Sequence, residues 1–105
     1  MPPRESRNMD LVITIKEVKG NCPVHKVGDS FTLKACYQLV SDKPVCMHGL
    51  ASLMPWYNAL RISEPADWGL DGKTDKSKAY VQCPDACEHT NGGTVVYEIS
   101  KVPAG

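Results

Sequence analysis

Three cysteines in this 105-residue chain stand in settings where a thiol could do chemistry. Cys22 lies in "GNCPVHKVGD" (20–29), Cys46 opens "CMHGLASLMPWYNALR" (46–61), and Cys83 sits in "QCPD" (82–85). A thiolate is both a soft metal ligand and a nucleophile. Cys22 and Cys83 are each followed by proline, which fixes the next φ and removes a backbone donor, so each thiol is set in a stiff turn. Cys-Pro is also the step that closes the ligand run of bacterial ferredoxins. His25, three residues after Cys22, is a candidate fourth ligand or an acid–base beside an open metal, and equally a loop histidine bonded to backbone. The paired C-x2-C of zinc ribbons and fingers is missing; the nearest combinations are Cys22-x2-His25, Cys46-x-His48 and Cys83-x3-Cys87. On spacing alone, buried apolar thiols, reactive thiols and metal ligands all remain open.

Those residues need elements to position them. Leu11, Ile13 and Ile15 alternate with Val12, Thr14 and Lys16, the pattern of a half-buried strand. Residues 20–29 follow as a loop rich in Gly, Asn and Pro. "SFTLKACYQL" alternates again, with Phe31, Leu33, Ala35 and Tyr37 on one face and Cys36 on the other. Leu50, Leu53, Met54, Tyr57 and Leu60 then recur at helical spacing, predicting one main helix over 46–60. Pro55 interrupts it, as a kink or as two abutting helical turns. Residues 62–77 read as a polar loop, "KAYVQCPD" as a short strand running into a turn, and "TVVYEISKV" as a closing strand. The order ββαββ predicts an α+β fold, a small antiparallel sheet with one main helix packed on it. Each of the three cysteines then falls at an element boundary, where one end of the sheet could gather them. A helix start also favours thiolate over thiol at Cys46.

The length suits one domain, taken as residues 10–103 behind a disordered lead-in over 1–9. Twelve basic and twelve acidic residues cancel and are interspersed, which gives neither the basic stripe of a nucleic-acid surface nor a polybasic membrane handle. No run reaches the ~18 apolar residues of a membrane span, and the polar start lacks the apolar core of a secretory signal. A cytoplasmic location is expected. Reducing conditions there, and the odd count of five cysteines, argue against a disulfide framework.

In order along the chain, "GNCPVHKVGDSF", "CMHGLASLMPWYNALR", "ADWGLDG", "QCPD" and "TVVYEI" resemble a family of small prokaryotic three-cysteine proteins, also found as a domain of larger chains. Its pattern is roughly G-x-C-P-x-H-K-V-G-D, a central Cys opening a helix like ALxxLxPxxxALR, a Trp-bearing acidic loop, C-P-D, and a closing strand. The match runs from about Leu11 to Val102. It departs at the centre, where the family carries Cys-Pro and this chain has Cys46-Met47. Cys36 and Cys87 have no counterpart in the pattern. The resemblance implies that Cys22, Cys46 and Cys83 belong together, and it brings no established reaction. Three thiols without a fourth resemble a three-cysteine [4Fe–4S] site with one iron open to a small-molecule ligand or substrate, as in Lewis-acid lyase or dehydratase chemistry. The alternatives are a structural zinc module held by the same thiols and His25, or an electron carrier, for which a fourth protein ligand is expected.

Other residues carry weaker signals. Trp68 in the polar loop is a candidate lid over the site, or a core plug. Lys26 and Asp29 could anchor an anion or cap the next strand, and His48 and His89 read as surface residues. "NGG" (91–93) is a turn rather than a phosphate loop, because no helix pattern follows it. No nucleophile triad, Walker motif or dinucleotide fingerprint is present.

Overall fold

The computed structural model of the chain describes residues 9–35 and 37–103. The expected lead-in over 1–8 and the expected off-core placement of Cys36 lie outside these residues. Met9, placed in the lead-in by sequence, already belongs to the first strand. Five strands form one antiparallel sheet: β1 (Met9–Gly20), β2 (Ser30–Lys34), β3 (Gln38–Val40), β4 (Ala79–Gln82) and β5 (Gly93–Pro103), in the spatial order β3-β2-β1-β5-β4. Between β3 and β4 the chain forms two short helices, α1 (Met47–Leu53) and α2 (Tyr57–Ile62), then a 3-10 turn at Pro65–Trp68; α3 (Cys87–Thr90) precedes β5.

This overturns the expected ββαββ arrangement with a single main helix. The fold is mostly β, and its helices are small. Pro55 is the reason the 46–60 pattern does not make one helix. Lacking an N–H, it cannot continue the ladder, so α1 closes with Met54 N–H on Leu50 C=O, and Trp56 C=O starts α2 by accepting from Leu60. The second correction is a strand. "SFTLKACYQL" folds into two strands rather than one, because the chain reverses after Lys34, with Ala35 at φ 55° and Tyr37 N–H bonded to Lys34 C=O. The alternation of apolar residues runs through that reversal without a Gly, Pro or Asn to mark it.

The long central pair β1–β5 joins the two ends of the described chain, from Met9↔Pro103 to Gly20↔Gly93. Its register shifts between Ile15 and Glu17, a bulge that brings Val18 opposite Val95 and keeps it packed against the core. One face of the sheet supplies Leu11, Ile13 and Ile15 from β1, Phe31 and Leu33 from β2, and Val95, Tyr97 and Ile99 from β5. Leu53 and Leu60, from the two helices, complete this buried cluster. Arg61 is buried and donates from Nε to Met9 C=O at 3.1 Å, tying α2 to the start of β1. Among the described residues, no helix is long and apolar enough to cross a membrane.

Candidate metal centre

Three segments end at the same end of the sheet. β1 finishes at Gly20 and runs into the Cys22 loop, β4 finishes at Gln82 just before Cys83, and β5 begins beside both at Gly93. Cys83 N–H donates to Val95 C=O at 2.8 Å, and Cys83 C=O accepts from Thr94 Oγ1 at 2.9 Å, so its backbone is held to β5 from two sides. Gly93 sets the approach of the Cys22 loop: a Cβ there would lie 2.4 Å from Cys22 N and 2.8 Å from Cys22 Cα. The "NGG" turn thus serves the site by leaving room for backbone. Cys46 is the N-cap of α1, and its side chain makes no capping bond, which leaves the sulfur available.

Cys22, Cys46 and Cys83 line one cleft of about 250 Å³. His25, His48, Asp85 and Tyr97 line it with them. The structure thus brings the three cysteines to the wall of one cavity. All four described cysteines are free thiols, and Cys87 is absent from the cleft wall. The three sulfurs do not crowd one point: among the described residues, no three His, Cys, Asp or Glu side chains stand so as to hold a single metal ion.

His25 connects two of the thiol segments. Its backbone N–H lies 3.3 Å from Cys22 Sγ, and its Nε2 accepts from Cys46 N–H at 3.2 Å. The ring is 4% exposed, stacked on Phe31 at 6.1 Å and edge-on to Tyr97 at 6.0 Å. Burial holds its pKa below the ordinary 6.5, partly opposed by Asp29, which keeps the ring neutral and able to accept. With Nε2 engaged on backbone, His25 ties the Cys22 and Cys46 segments together, and that nitrogen is not turned into the cleft. Asp29 is occupied too: it accepts from Lys26 N–H at 3.0 Å and from Lys43 Nζ at 2.9 Å, which closes its own loop.

Trp68 stands away from the cleft. It packs on Trp56 at 6.1 Å and donates from Nε1 to Ser63 Oγ at 2.7 Å, and no residue of 62–77 lines the cavity. The expected lid is thus a surface turn against α2. His48, read from sequence as a surface residue, is exposed on the cleft wall. Asp85 and Tyr97 escaped the sequence reading, and Asp85 carried only a faint signal, lying two residues from a cysteine. Tyr97 carried a better one, because alternation in β5 puts it on the core face, where a phenol needs a partner. Its hydroxyl is buried and has no hydrogen-bond partner among the described residues. Burial, and the sulfurs of Cys83, Cys46 and Cys22, push its pKa well above the ordinary 10. No protein-family model, curated protein or solved structure matches the chain.

Proposed function

We propose that the cleft is a metal centre in which Cys22, Cys46 and Cys83 hold a [4Fe–4S] cluster and leave one iron for a small ligand from solvent. The observation that carries this is the meeting of three thiols from three separate segments at one cavity, with no fourth sulfur on its wall among the described residues. The donor spacing bears on which metal group fits. A tetrahedral zinc site with Zn–S near 2.3 Å needs its sulfurs within roughly 4 Å of one another. A cluster takes its thiolates at separate irons across a wider gap, so it does not require the three sulfurs to meet at one point. An electron carrier calls for a fourth protein ligand, and His25, the candidate for that place, has its Nε2 on backbone.

When bound, such a cluster supplies a Lewis-acidic iron suited to a small hydroxylated or thiolated substrate. The chain supplies the rest. The Cys22 and Cys83 turns are stiffened by the prolines that follow them, and His25 orients the Cys22 and Cys46 segments together. The N–H on Cys22 Sγ lowers electron density at that thiolate, as outer hydrogen bonds to metal ligands do. Exposed His48 and half-buried Asp85 put polar groups on the cleft wall, where an incoming ligand would meet them. Anaerobic purification followed by iron, sulfide and zinc analysis tests the assignment. Brown protein with iron and sulfide in equal amounts is expected, whereas colourless protein with one zinc per chain would replace it with a structural role.

A further inference from the structure

Tyr97 lies in β5, opposite Ile15 and Val81, and is 1% exposed. A buried hydroxyl without a partner costs free energy that a phenylalanine of nearly the same shape would avoid. Yet the surroundings are shaped around the oxygen. A Cβ at Gly49, in the first turn of α1, would stand 1.6 Å from it, so the helix is bare where the hydroxyl arrives. The ring is held edge-on to His25 at 6.0 Å and to Phe31 at 6.4 Å, and it forms part of the cleft wall with the three cysteines.

We propose that the Tyr97 hydroxyl is the hydrogen-bond donor to a sulfur of the group held by Cys22, Cys46 and Cys83. The inference rests on the metal-centre reading above, and it explains why a residue of the cleft wall keeps a buried, unpartnered O–H against the first turn of α1, the helix that Cys46 caps. Hydrogen bonds to cluster and ligand sulfurs stabilise the reduced, more negative form and raise the reduction potential.

Tyr97→Phe tests this in two states of the full chain. Without metal, the variant should melt no lower than wild type, because an unsatisfied hydroxyl has been removed and the ring retained. After anaerobic reconstitution with iron and sulfide, both proteins should load equally, and the variant's potential should shift to more negative values. Equal loading with identical potentials overturns the inference while leaving the metal centre standing. A lower melting temperature of the metal-free variant also overturns it, by showing that the hydroxyl already has a partner. A wild-type protein that takes up no cluster overturns the metal-centre reading, and the role of Tyr97 falls with it.

Discussion

With its backbone N–H on Cys22 Sγ and its Nε2 on Cys46 N–H, His25 spans a gap of 21 residues between two thiol segments. Replacing it by alanine leaves the Cys46 N–H without its acceptor and opens a cavity beside Phe31 and Tyr97. The lost acceptor alone should cost about 2 kcal/mol of metal-free stability, measured by urea unfolding. The Cys22 contact comes from backbone and survives the change, so cluster uptake should fall without vanishing. Unchanged stability would show that the imidazole holds nothing together. Gly93 acts by absence. A methyl there meets Cys22 backbone at 2.4 Å, and backbone cannot swing aside as a side-chain tip can. Gly93→Ala should destabilise the metal-free chain by about 1–3 kcal/mol, as overpacking does, and lower the iron retained after reconstitution. Wild-type unfolding and loading would place the Cys22 loop elsewhere.

Among the elements, the 20–29 loop is shaped by Asp29, which joins Lys26 N–H to Lys43 Nζ and whose C=O accepts from Ile15 N–H. The Lys43 hydrogen bond, with that from Lys26, holds the Asp29 pKa below its ordinary 3.8. A carboxyl depressed in the folded state contributes stability that is full above its unfolded value and fades as pH falls through the folded one. Asp29→Asn should therefore melt below wild type at neutral pH, and the gap should close only as the pH drops below about 3.8. A gap independent of pH would mean that the charge has no part in shaping the loop. The pair is exposed on the Lys43 side, so the neutral-pH gap should be small and should shrink further with salt.

How much of each element could be read from sequence follows the same physics. β1 and β5 announce themselves by alternation, because one face of each is buried. β3 does not, since Gln38, Leu39 and Val40 are all exposed and its turn lacks any breaker residue. The helical period at 50–60 is visible, but the proline's effect on length decides the fold class, and periodicity cannot weigh that. The loop over 62–77 carries Trp68 as a candidate lid, yet Trp68 packs on Trp56 and bonds Ser63, and it does not line the cleft.

For the molecule as a whole, the central β1–β5 pair explains how cysteines 24 and 37 residues apart come together, Cys22 to Cys46 and Cys46 to Cys83. Strands from the two ends of the described chain run side by side, and everything between them is a long excursion that returns to the same sheet end. Cys22 and Cys83 flank the start of β5, while α1 carries Cys46 over Tyr97 through the bare Gly49. Sequence placed the three thiols at element boundaries. It could not show that the boundaries coincide, because that depends on strand order, which is set by packing far from the cysteines.

Parallel anaerobic reconstitution of wild type, Cys22→Ser, Cys46→Ser, Cys83→Ser and Cys87→Ser, with iron and acid-labile sulfide counted per chain, decides whether these thiols form one centre. Wild type and Cys87→Ser should each retain roughly four irons and four sulfides, the content of one [4Fe–4S] cluster. Each of the other three variants should lose most of that content, since a cluster on three thiolates has no spare ligand. Full loading of any one of those three variants, or loss confined to Cys87→Ser, would contradict the shared cluster of Cys22, Cys46 and Cys83.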